Sequence, residues 1–173
     1  MRRTAAFKKG GADPEEKLDF RGAVEITPHL ESAWNRGLQA LRAEDKPHIV
    51  AEDTRRLKGS VDVDSALAQV EPNANRWDFA IAYDHSDRTE EVIYWTELHT
   101  ASDGEVSVVI AKTRWLLAWL ATGGSNLDPF EREIVWVASG ATTFTRTSPQ
   151  QRRMAQEGLR YVGSHLRIRN QRG

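Results

Sequence analysis

The alternation of apolar and polar residues predicts a β-hairpin followed by a helix in the middle of the chain. Residues 77–83 alternate with the period of a strand, with large apolar side chains on one face and Asp78 on the other. A polar loop at 84–90 leads to a partner strand at 91–99, which is rich in β-branched and aromatic residues. A helical repeat of apolar residues then extends over 102–121 and ends before two glycines.

Weaker signals add elements on both sides of this unit. Thr27 as N-cap and Pro28 at the first helical position predict a helix over residues 28–43, whose apolar residues recur at helical spacing. A strand is expected at 48–51, at 59–67 or at both. A strand, a helix and a final extended run follow, at residues 133–138, 148–158 and 159–168. We therefore predict an α/β fold with an α+β tendency, whose mixed central sheet grows from a β-meander and is flanked by helices.

Length and composition favour one domain in a reducing compartment. Residues 1–24 carry basic and acidic runs with few apolar anchors, which predicts a disordered tail ahead of a single α/β domain at 25–173. The 173 residues include no cysteine, which excludes a disulfide scaffold and a thiolate zinc site and fits a cytoplasmic protein. The start of the chain lacks the apolar core of a secretory signal, and charged residues interrupt the longest apolar stretch, so no membrane association is expected.

Charge is distributed unevenly along the chain, although the net charge is only −1. Residues 44–105 contain 15 acidic and 6 basic residues, whereas residues 146–173 contain 7 arginines and a single glutamate. One interpretation is an acidic metal site flanked by a phosphate-binding surface. The other is two solvated surfaces of opposite sign.

Three polar side chains are predicted to meet at one edge of the hairpin. Glu97 and His99 lie on the same face of one strand, because side chains alternate with a period of two. Asp78 begins the preceding strand, and in an antiparallel hairpin the start of one strand lies beside the end of the next. Two converging carboxylates suit a hard divalent cation such as Mg²⁺ or Mn²⁺.

This pattern resembles the PD-(D/E)XK nuclease superfamily over roughly residues 28–140. The resemblance implies that Asp78 and Glu97 bind Mg²⁺, with Glu31 of the first predicted helix as an additional metal ligand. The family's Glu-x-Lys lysine, which orients or activates the attacking water, is replaced here by His99. Some members take their lysine from the following helix, and Lys112 is then the candidate.

Each of these residues also has a structural alternative. Asp78 could cap the hairpin or accept from backbone amides, and Glu97 with His99 could form a hydrogen-bonded pair at a strand end. Glu31 would be a favourable charge in the first turn of a helix, and Lys112 a solvated helix residue.

The leading hypothesis for function is a metal-dependent phosphodiesterase acting on nucleic acid, or a catalytically degenerate relative. In the active version Asp78, Glu97 and either His99 or Lys112 are catalytic. The phosphate backbone would be held by five arginines near the C-terminus, namely Arg152, Arg153, Arg160, Arg167 and Arg169. The alternative is a non-catalytic binding or protein-interaction module, and a homodimer through a sheet edge or helix is a further expectation.

Overall fold

A computed structural model of the chain describes residues 17–142 and 148–171. Within these ranges the backbone forms four α-helices and eight β-strands. The helices are α1 (Phe20–Glu25), α2 (Val63–Leu67), α3 (Val106–Leu120) and α4 (Pro149–Gln156). The strands are β1 (Trp34–Asn35), β2 (Ile49–Ala51), β3 (Leu57–Asp62), β4 (Phe79–Tyr83), β5 (Val92–Ala101), β6 (Glu131–Thr142), β7 (Leu159–Tyr161) and β8 (Leu166–Ile168).

Six strands form a mixed sheet in the order β1-β3-β4-β5-β6-β7. The β3-β4-β5 meander is antiparallel, whereas β5, β6 and β7 are parallel and are connected through α3 and α4. The predicted α/β fold, with a mixed sheet grown from a meander and flanked by helices, is confirmed. The remaining strands, β2 and β8, form a separate parallel pair.

The sheet has a buried core on each face, and the two cores differ in what covers them. Residues of all four helices pack on one face, where Trp95 and Trp136 are fully buried. On the other face the β2–β8 pair packs against Ile81, Tyr94 and their neighbours. Period-two alternation assigns successive residues of β4 and β5 to these two cores. Asp78 and Glu97 therefore share the helix-covered face, as their alternation with apolar residues predicts.

The predicted helix over residues 28–43 is wrong. This segment forms turns and the two-residue strand β1, which pairs with β3 at the edge of the sheet. His29 has a φ of 70° and Gly37 a φ of 58°, which are incompatible with a continuous right-handed helix. Leu30 is buried in the helix-covered core and Leu41 in the opposite one. The apolar spacing therefore reflects a segment that passes around the sheet edge and contributes to both cores.

Three predicted boundaries also need correction. The predicted disordered tail over residues 1–24 is too long, because Phe20–Glu25 is helical and Phe20 is fully buried. Residues 1–16 lie outside the described ranges. The strand predicted at 59–67 ends at Asp62, and the helix α2 begins at the next residue. The Asp62 side chain accepts from Ser65 N–H and caps this helix. The central helix begins at Val106 rather than Ser102, because residues 102–105 form a turn. No helix in the described ranges is long and apolar enough to cross a bilayer.

The close contact between β1 and β3 depends on Gly59. This residue has a φ of +136°, and a Cβ added to it would lie 2.9 Å from Asn35 O and 2.8 Å from Trp34 Cε2. We predict that Gly59→Ala lowers the free energy of unfolding by about 2–3 kcal/mol, through backbone strain and overpacking. Gly140→Ala is the control, because a Cβ there meets open space. Urea unfolding measures both, and equal midpoints for the two variants would contradict the assignment.

Candidate functional site

The candidate site lies where β4 begins and β5 approaches its end. Phe79 pairs with Thr96 in the antiparallel ladder, which brings Asp78 alongside Glu97. The backbone N–H of Leu98 donates to Asp78 Oδ2 at 2.9 Å, so the β5 backbone itself orients the Asp78 carboxylate. The predicted juxtaposition of the two carboxylates is therefore present in the structure.

Lys112 reaches both carboxylates from the helix that covers the sheet. Its Nζ donates to Glu97 Oε1 and lies 3.4 Å from Asp78 Oδ1. The Lys112 side chain is only 20% exposed and that of Glu97 is fully buried. The resemblance left two candidates for the role of the lysine, Lys112 on α3 and His99 on β5. The structure places Lys112, and not His99, against the two carboxylates.

Burial and mutual repulsion favour the protonated form of the carboxyl groups. Burial, followed by the charge of Asp78, raises the pKa of Glu97 to about 8. Burial also raises the pKa of Asp78, against the lowering effects of Lys112 and the Leu98 amide. For Lys112 burial acts in the opposite direction, but the two carboxylates outweigh it and raise its pKa. Lys112 is therefore a fixed cation at neutral pH.

One oxygen of this cluster has no partner. Glu97 Oε2 is buried and accepts no hydrogen bond within the described residues. A buried carboxylate oxygen without a donor is costly, and such exceptions call for an explanation. A cation or a water held beside Asp78 would satisfy it.

The donor set fits a hard divalent cation that keeps most of its water. Within the described ranges no group of three or more His, Asp or Glu side chains could enclose a metal ion. Mg²⁺ does not need such a cage, because it is commonly bound by one or two carboxylates, waters and substrate phosphates. Asp78 and Glu97, with the unpartnered Oε2 of Glu97, are the residues that would hold it.

Glu31 does not occupy the predicted position in a first helix, since that helix does not form. It lies exposed on a turn, and backbone hydrogen bonds from Glu31 and His29 lower the pKa of its carboxyl group. Asp45 is a further carboxylate whose charge interacts with that of Asp78, and the sequence analysis did not single it out. Partial burial raises the pKa of Asp45, and the charge of Asp78 contributes to the increase. Asp45 comes from a turn distant in sequence, so no local pattern could have identified it.

His99 is engaged outside the cluster. Its Nε2 lies 2.7 Å from Glu105 Oε2, and its side chain is 37% exposed. Glu105 is the N-cap residue of α3, but its side chain makes no capping hydrogen bond there. His99 therefore pairs with Glu105, and the alternative of a hydrogen-bonded pair between Glu97 and His99 is wrong, because Glu97 contacts Lys112.

The five arginines predicted to bind phosphates are distributed over α4, β7 and β8. Arg152 and Arg153 are exposed on α4, and Arg153 donates to Ser107 Oγ at 3.2 Å. Arg160 pairs with Glu133, whereas Arg167 and Arg169 are exposed on and just after β8. Arg160, Arg167 and Arg169 line one cleft.

The raised pKa of Glu97 predicts a specific loss of stability with pH. Because the folded-state pKa is about 8 and the ordinary value is 4.5, this group stabilises the fold fully below about pH 4.5. That contribution is lost as the pH rises toward 8. Glu97→Gln has no carboxyl group that titrates at this position. The difference between its Tm and that of the wild type should therefore increase in favour of the variant by roughly 5 °C between pH 5 and pH 9. Thermal melts across this range measure the difference, and parallel profiles would contradict the assignment.

No protein-family model, curated protein or solved structure matches this chain. We therefore infer its function from the chemistry of the cluster of Asp78, Glu97 and Lys112 and from the surfaces around it.

Proposed function

We propose that the chain is a metal-dependent phosphodiesterase of the PD-(D/E)XK type, acting on nucleic acid, in which the lysine comes from α3. The observation that carries this proposal is the contact of Lys112 Nζ with both Asp78 and Glu97. A lysine between two carboxylates at the end of a β-meander corresponds to the arrangement that the resemblance implies. The order of meander, helix and parallel strand supports it.

The chain's own residues have distinct tasks in this proposal. Asp78 and Glu97 would hold Mg²⁺ or Mn²⁺, which when bound supplies Lewis acidity toward a phosphoryl oxygen and a more acidic water. The Leu98 N–H fixes one oxygen of Asp78, so that carboxylate is oriented before any ligand arrives. Glu97 gives up its proton on binding a cation, because ligands must be deprotonated.

Lys112 is suited to stabilise charge rather than to accept a proton. The carboxylates raise its pKa, so it remains an ammonium at neutral pH and cannot act as a general base in that form. A positioned ammonium beside the reacting phosphoryl group stabilises negative charge that develops in the transition state. It can also orient the attacking water through its N–H donors.

Hydrolysis of oligonucleotides tests the proposal and separates Lys112 from His99. With millimolar Mg²⁺ or Mn²⁺, we expect Glu97→Ala and Lys112→Met to reduce the cleavage rate by roughly 10²- to 10⁴-fold. His99→Ala should lose far less, because His99 pairs with Glu105. Exposed Glu25 on α1 provides a matched carboxylate control, Glu25→Ala.

Single- and double-stranded substrates are compared, and circular dichroism establishes that each variant is folded. Equal rates for the wild type and Glu97→Ala would refute the catalytic assignment. A loss in Glu97→Ala and His99→Ala, with Lys112→Met at the wild-type rate, would transfer the lysine's role to the histidine.

A non-catalytic binding module is the second candidate function. It is favoured by the neutralisation of the carboxylates by Lys112 and by the engagement of His99 with Glu105. In that case the cluster of Asp78, Glu97 and Lys112 is a buried polar network that specifies the packing of α3 on the sheet. Wild-type protein that is folded but cleaves no substrate with either metal would favour this candidate.

A further inference from the structure

A basic cleft lies beside the last strands of the chain. It has a volume of about 810 Å³ and is open to solvent on one side. Three arginines and a histidine line it together with the partly exposed Tyr161, namely Arg160, Arg167, Arg169 and His165. A concave surface that presents three guanidinium groups is suited to phosphates.

Two of these guanidinium groups are not neutralised within the described part of the chain. Leu166 and Ile168 point into the core, so Arg167 and Arg169 point outward from the same face of the β8 segment. Neither arginine forms an ion pair with a carboxylate of the described residues. Arg160 is paired with Glu133, so the net positive charge of the cleft comes mainly from the other two arginines.

The segment that carries these arginines is fixed to the rest of the fold. Asn170 N–H donates to Glu52 at 2.7 Å, Ser86 N–H donates to Asn170 O at 2.9 Å, and Tyr83 O–H donates to Asn170 Oδ1 at 2.6 Å. Arg169 is therefore held next to an anchored residue. Positively charged groups on a rigid element bind with less loss of entropy than those on a free tail.

The cleft and the cluster of Asp78, Glu97 and Lys112 lie on different sides of the sheet. Leu159 and Tyr161 of β7 pack on the helix-covered core, so Arg160 between them faces the other side. Arg167 and Arg169 project from the β2–β8 pair, which covers that other side. The cleft is therefore a surface separate from the cluster.

We propose that this cleft binds the phosphate backbone of the polynucleotide strand. The proposal rests on the proposed function and deepens it, because it assigns the surface that positions the strand. Arg167 and Arg169 are two strand residues apart, about 6.6 Å, so their guanidinium groups can contact different phosphates of one strand.

Fluorescence anisotropy of a labelled 20-nucleotide DNA measures binding in EDTA, where no metal-dependent hydrolysis occurs. We expect Arg167→Ala/Arg169→Ala to bind roughly tenfold more weakly at 0.1 M salt and to reduce the slope of log affinity against log salt by about two. The control is Arg21→Ala/Arg36→Ala, which removes the same charge. Arg36 follows the opposite edge strand β1, and Arg21 lies exposed on α1 beside that edge.

The outcomes separate the cleft from the catalytic proposal. An unchanged affinity and slope in the cleft variant, or an equal loss in the control, would overturn the proposed cleft. Binding that requires a 5′-phosphate on the DNA, or is abolished by equimolar inorganic phosphate, would replace backbone binding by terminal-phosphate binding. Wild-type protein that binds through the cleft but cleaves nothing with metal would support the cleft and refute the phosphodiesterase.

Discussion

The site depends on one interaction, the contact of the Lys112 ammonium with the carboxyl groups of Asp78 and Glu97, which the sheet places side by side. Glu97 is fully buried beneath α3, and its negative charge would be unstable there without a cation. Asp78 adds a second carboxylate that β5 holds in place through the Leu98 N–H. The helix is therefore tied to the sheet by charge as well as by apolar packing, and the same contact defines the proposed catalytic centre.

This arrangement makes the protonation of Glu97 the variable that links stability to ligand binding. Burial raises the pKa of Glu97, so the folded protein without a ligand prefers the neutral carboxyl group. In the proposed function a divalent cation would require the charged form of Glu97. Glu97 Oε2, which has no partner within the described residues, is the oxygen that would bind it.

Local patterns predicted the elements that carry the carboxylates, because strand alternation and a short polar loop determine which residues of a hairpin meet. They could not decide the role of Lys112, since a residue beside the buried stripe of a helix faces solvent or a neighbour depending on how the helix crosses the sheet. Local patterns wrongly placed Glu31 on a helix. The segment 28–43 contributes apolar side chains to both cores, and their spacing along the chain resembles that of an amphipathic helix. Asp45 arrives from a distant turn, and only the tertiary fold brings it toward Asp78.

Calorimetric titration with Mn²⁺ at pH 7, in two buffers of different ionisation enthalpy, tests the central claim most directly. It measures both the number of ions bound and the protons released on binding. The account predicts one saturable ion per chain and the release of about one proton, because Glu97 must deprotonate. Asp78→Asn should abolish this binding. Saturable binding without proton release, or binding unaffected by Asp78→Asn, would contradict the account.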